Sequence, residues 1–176
     1  LVPTAGHLVH MPSHIDIRVG NYPKAAVANR KAILADAAYR KLSPRQDFYR
    51  AYMQHNQQFL AFACMMLGRS EEAIATADKA VHALPADWIK ENAHLMDGYM
   101  AIYMDALKRF GKWDQILALP APPDYLPYTT AMWRFNRAVA YAATGRIADA
   151  ERERKLFIEA RDRVPQDALA QINPAH

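Results

Sequence analysis

Apolar residues recur every three to four positions along most of the chain, and no segment alternates apolar with polar residues between turns as a half-buried strand would. The pattern predicts helices from end to end. Pro23 suits the first turn of a helix, and residues 24–40 are rich in Ala with few breakers. Ser43 before Pro44 reads as the cap and first turn of a helix running to about Leu67, where Gly68 stops it. Ser70 reads as the cap of a helix that opens on Glu71 and Glu72 and ends near Ala83, ahead of Pro85. Asp87 is expected to cap a long helix reaching Phe110, with Gly111 at its end and a short helix over 113–119. Pro120, Pro122 and Pro123, with Pro127 beyond, mark a connector. A last helical pair is expected at 130–144 and 147–163, with residues 166–176 as a short polar tail.

Beneath the helices lies a repeat. Four turns have one form: Gly20 to Ala25, Gly68 to Ala73, Gly111 to Ile116 and Gly145 to Ala150. Each Gly can take the left-handed backbone that ends a helix, and the small residue five positions later lets the next helix pack closely on the first. The glycines are spaced 48, 43 and 34 residues apart. A period in this range predicts stacked helix pairs, none of which buries its apolar face alone.

These residues resemble the tetratricopeptide repeat family, whose pattern runs W-x2-L-G-x2-Y, then A-x3-F, then P. The second pair keeps most of it: Leu60 and Ala61 stand in the L-G place, Ala73 and Ala80 are the small packing residues, and Pro85 is the terminal proline. The fourth has Ala138, Tyr141 and Ala150; the first keeps Gly20, Tyr22, Ala25 and Ala32. The third is degenerate, with Ile116 in the Ala place and Pro120 cutting its second helix short. The resemblance implies an all-α, α-α superhelix of about four pairs, near 7–40, 44–84, 87–120 and 130–163, forming one irregularly spaced domain over 1–165. It also implies a concave groove for an extended peptide or partner helix. The segment from His7 to Ile15 is similar to part of larger bacterial tetratricopeptide-repeat proteins of unassigned activity. The chain opens on Leu1 rather than Met, so a fragment or processed product is expected.

Composition narrows the function classes. Hydrophobic residues at 52% and charged residues at 23% fit a folded chain. The longest apolar run, Phe59 to Leu67, falls well short of the ~20 residues of a membrane span. A lone cysteine, Cys64, excludes an internal disulfide framework and a cysteine-based zinc site, and its apolar neighbours predict a buried thiol. The net charge of +4 is spread among acids, as in Glu151–Lys155, which reads as a solvated helix face rather than a nucleic-acid groove. Met65, Met66, Met96, Met100 and Met104 are spaced like core stripes. No nucleophile constellation or glycine-rich phosphate loop is present, so a binding module is favoured over an enzyme, with no required cofactor. Compartment and oligomeric state are left open, with the cytoplasm favoured.

The candidate chemistry lies in His7, His10 and His14. On one continuous helix they sit within about 60° of each other, with Arg18 on the same face. Histidines at this spacing can share a divalent metal such as zinc. A metal-dependent enzyme or metal-binding domain, completed by residues upstream, is the alternative to peptide binding. Pro12 removes one helical hydrogen bond and can start a new helix, which would leave His7 and His10 in a lead-in segment. In the family the chain resembles, groove-facing places lie 13, 10, 6, 3 and 2 residues before the turn glycine. They fall on His7, His10, His14, Ile17 and Arg18, then on His55, Gln58, Phe62, Met65 and Met66. The later pairs supply Gly98, Ala101, Asp105, Lys108 and Arg109, then Met132, Phe135, Val139, Ala142 and Ala143. The resemblance thus implies a groove with a His-rich end, in which His55 joins the cluster, and with Gln58, Phe62, Asp105, Lys108, Arg109 and Phe135 as further ligand-facing residues.

Overall fold

The computed structural model describes residues 4–170 and 173–175. The chain divides into two compact units, 1–84 and 85–176, each holding two of the four expected helix pairs.

In the first unit, α1 (Gly6–His10) and α2 (Pro12–Arg18) pack along α3 (Tyr22–Leu42); α4 (Tyr49–Met66) packs on α3, and α5 (Ser70–His82) on α4. Ala25, Ala26 and Ala32 of α3, Ala61 and Ala63 of α4, and Ala73 and Ala77 of α5 are all fully buried. Side chains this small let helix backbones approach closely. Pro12 does begin a new helix, but Met11 keeps helical torsions (φ −49°, ψ −39°) and its N–H donates to the His7 carbonyl at 3.2 Å. The backbone therefore stays helical through the junction, and His7 and His10 lie in a helix rather than a lead-in.

Two expected helix starts are corrected. Ser43 closes α3 instead of opening α4: its N–H donates to the Tyr39 carbonyl at 2.8 Å. Pro44 biases the residue before it toward extended backbone, and Ser43 takes φ −131°, ψ 90°. The Gln46 side chain then bonds the Ser43 carbonyl, and α4 begins only at Tyr49. Ser70 is the first residue of α5, with Arg69 at the cap position.

All four turn glycines have positive φ: 76°, 72°, 65° and 76° at Gly20, Gly68, Gly111 and Gly145. Each turn closes with the same bond pair. At the second, the Arg69 N–H reaches the Cys64 carbonyl (3.0 Å) and the Gly68 N–H the Met65 carbonyl (3.3 Å). At the fourth, Arg146 donates to Tyr141 (2.8 Å) and Gly145 to Ala142 (3.1 Å). This Schellman closure requires the left-handed residue, which only Gly adopts at little cost.

The second unit departs further from expectation. The long helix over 87–110 is broken into α6 (Ala86–Glu91), α7 (Ala93–Met96), a 3-10 turn (Asp97–Tyr99) and α8 (Ile102–Arg109). Asn92 ends α6 by turning its side-chain amide back onto the Trp88 carbonyl (2.8 Å), and Gly98 adds a weak helix former. Asp97 is captured by another element: its carboxylate accepts the backbone N–H groups of Tyr128 (2.7 Å) and Thr129 (2.8 Å). These belong to the first turn of α10 (Pro127–Ala143), so Asp97 caps that helix from a distance. Pro127 opens α10 rather than extending the connector. After α9 (Trp113–Ala118), α10 pairs with α11 (Ile147–Arg161). Glu153 is buried, not solvated as the charged run predicts, because Arg137 Nε (2.9 Å) and Arg134 Nη1 (3.0 Å) reach it from α10. The expected polar tail folds back as a short antiparallel ribbon of β1 (Leu169–Ala170) and β2 (Asn173–Pro174).

The methionine stripes are core except Met66, which is exposed, and Cys64 is buried, with its thiol pushed up to about 11 by burial. Among the described residues, no helix is long and apolar enough to cross a membrane.

Candidate functional site

The first unit brings four imidazoles together. His7 and His10 come from α1, His14 from α2 and His55 from α4. Ring centroids lie 5.3 Å apart for His7–His10, 4.7 Å for His10–His14, 4.7 Å for His10–His55 and 5.5 Å for His14–His55. Ring nitrogens of His7, His10 and His55 all lie within 4.8 Å of one another. Phe59, one turn after His55 on α4, stands against three of the rings at 4.5–4.6 Å, and Tyr52 lies 4.3 Å from His7.

His10 is the centre of the group and is fully buried. Its Nδ1 lies 2.7 Å from Asn29 Oδ1, while the amide nitrogen of Asn29 donates to the Ala25 carbonyl at 2.8 Å. With its amide committed, Asn29 presents an acceptor, so His10 carries its proton on Nδ1. The His10 Nε2 lone pair then faces the other rings, 2.9 Å from His14 Nε2, which is the donor of that pair. Ser13 Oγ, 3.2 Å from His10 Nδ1, adds a second acceptor on the outer side.

A second polar chain supports His7. Asn56 lies beside its ring and donates from Nδ2 to Asp36 Oδ2 at 2.8 Å; the Tyr49 hydroxyl reaches the other oxygen of Asp36 at 3.3 Å. Tyr49 also accepts the His7 backbone N–H at 3.3 Å. Gly6 allows this packing, since a Cβ there would collide with the Asp36 carboxylate and stand 2.7 Å from the Ala32 carbonyl oxygen. His7 Nδ1 and Asn56 Oδ1 are buried with no hydrogen-bond partner.

Burial disfavours charge on every ring. It holds His10 at about 4 and His55 at about 3, with mutual repulsion of the imidazoles adding to the effect. Burial also lowers His7 and His14, and Arg18 contributes at His14. The four rings are therefore neutral at physiological pH, the form that ligates metals. Asp36 is pushed up by its own burial, partly offset by Asn56 and Tyr49.

The remaining expected site residues are spread out. In the first unit, Gln58 is buried, Phe62 is exposed and faces Tyr22 at 6.4 Å, and Arg18 is exposed. In the second unit, Asp105, Lys108 and Phe135 meet. The Lys108 ammonium bonds Asp105 at 2.7 Å and sits 4.9 Å over the half-open Phe135 ring. Arg109 lies exposed one position on. Sequence reasoning missed Gly6, Asn29, Asp36, Asn56 and Phe59. A signal existed: Ala25, Asn29, Ala32 and Asp36 follow 4-3-4 spacing, so two polar residues share the stripe of small ones that packs inward.

Helices α10 and α11, with the Gly145 turn between them, form the most extensive pairing of the second unit, and that segment has a known counterpart. Residues 132–153 match the tetratricopeptide repeat family. This tetratricopeptide repeat runs from Met132 to Glu153, so it includes both the exposed Phe135 and the buried Glu153 that ties its helices together. The other three glycine turns share its closure, and the fold is an all-α helical repeat of this kind. No curated protein and no solved structure matches the chain.

Proposed function

We propose that the chain is a protein-interaction module that binds a peptide or partner helix on the first helices of its repeats. Helical repeats of this kind present such surfaces as their common mode of recognition. Phe135 carries the reading. It lies on the first helix of the matched repeat and stays 36% exposed, although an aromatic ring gains by burial; the Lys108–Asp105 pair borders it. In the first unit, Phe62 and Met66 are likewise exposed on α4, at the positions where the family's repeats face their ligands.

A displayed peptide library selected on the purified chain tests this. Enriched peptides should lose at least about tenfold in affinity on Phe135→Ala or Phe62→Ala, as truncation of an aromatic anchor commonly costs more than 1 kcal/mol. The helical circular dichroism should stay unchanged. Peptides that bind both variants as well as the native chain, or no enrichment over an unrelated helical protein, would overturn the reading.

A further inference from the structure

We propose that His7, His10 and His55 form a binding site for a divalent transition-metal ion of zinc's class, with His14 as a fourth imidazole at its rim. This proposal does not rest on the peptide-binding reading.

Three observations carry the proposal. The first is convergence: α1 and α4 deliver three imidazole nitrogens, from His7, His10 and His55, that lie within 4.8 Å of one another. Small side-chain rotations would bring them onto one ion at the ~2.0–2.1 Å of a zinc–imidazole bond. The second is orientation. Asn29 holds the His10 proton on the outer nitrogen and leaves the inner lone pair toward the cluster. Ligating histidines are held in this way by an outer carbonyl or carboxylate. Asn56 and the buried Asp36 stand behind His7 as a second outer shell, and Asp36 offers negative charge near a cation without entering the ligand set. The third is the polar accounting. The inward His10 nitrogen has another imidazole as its neighbour, and the buried His7 Nδ1 has the Asn56 side chain beside it but no well-formed hydrogen bond. A core that needed only packing would gain more from aliphatic side chains, because buried polar atoms without good partners cost free energy.

The donor set selects the ion. Neutral nitrogen ligands with no carboxylate among them suit zinc, copper or nickel rather than calcium or magnesium, which take oxygen. Phe59 and Tyr52 wall the cluster and keep its surroundings apolar. Three imidazoles also leave a fourth zinc position for His14 or for water.

Calorimetric titration of zinc into the untagged chain tests the site, since a histidine tag would bind the same ions. One ion per chain is expected. His10→Gln with His55→Gln should abolish uptake, Asn29→Leu should weaken it about 10–100-fold, and changing the exposed His82 and His94 to Gln should leave it intact. If the double variant fails to fold, histidine modification by diethyl pyrocarbonate on the native chain gives the answer: zinc should protect the partly open His7 and His55 but not His82 or His94. Absence of one-to-one binding, binding retained in the folded double variant, or equal modification with and without zinc would overturn the proposal.

Discussion

His10 Nδ1 lies 2.7 Å from Asn29 Oδ1, and this one bond sets the direction of the His10 lone pair. Replacing Asn29 with Leu removes the nearer acceptor and leaves the buried imidazole N–H only the Ser13 hydroxyl at 3.2 Å. The expected cost is about 1–3 kcal/mol in urea unfolding. Nitrogen chemical shifts of His10 should report the Nδ1-protonated tautomer in the native chain and a mixture in the variant.

Gly6→Ala is expected to destabilise for a different reason than Gly145→Ala. At Gly6 the new methyl would meet Asp36 and the Ala32 backbone, so α1 must shift, at a cost of about 1–3 kcal/mol. At Gly145 there is open space, but φ is +76°, and the strain is about 1–2 kcal/mol. Only Gly6→Ala should also perturb the histidine resonances; equal perturbation by both would contradict the close approach of α1 to α3.

Glu153→Ala is expected to lower stability by about 1–3 kcal/mol, because Arg134 and Arg137 lose their shared buried acceptor. Glu151→Ala, on the exposed 151–154 pair, should change it by less than about 0.5 kcal/mol. Equal melting temperatures for the two variants would contradict the assigned α10–α11 contact.

Acid should destabilise the metal-free chain. Burial holds His10 at about 4 in the folded state, against an ordinary value of 6.5. Between these values the unfolded chain binds the proton and the folded chain does not, so stability rises with pH. Stability is therefore full above about pH 7 and falls as pH drops through 6.5 toward 4. His10 alone accounts for a loss of about 2 kcal/mol between pH 7 and 5. Unfolding measured at both pH values should show a shallower dependence in His10→Gln; an identical slope would contradict a buried neutral His10.

Much of this architecture can be read from residue types. The four turns follow from glycine, since their closure needs positive φ, and the proximity of His7, His10 and His14 follows from their helical spacing, while His55 enters only through the places that the family resemblance marks before the turn glycines. The break in the 86–109 region was not legible, because it depends on Asp97 capping a helix 30 residues later in the chain. Nor was the burial of Glu153, which looks like any charge in a mixed run until α10 places two arginines over it. Asn29 and Asp36 lay within reach of helical periodicity, but their partners on α1 and α4 are tertiary facts.

Zinc K-edge absorption on the untagged, zinc-loaded chain tests the histidine site most directly. One zinc per chain is expected, with three or four nitrogen or oxygen neighbours at about 2.0–2.1 Å and the outer-shell scattering of at least three imidazole rings. A first shell of six oxygen neighbours, or imidazole scattering unchanged when His10 and His55 are replaced by Gln, would contradict it.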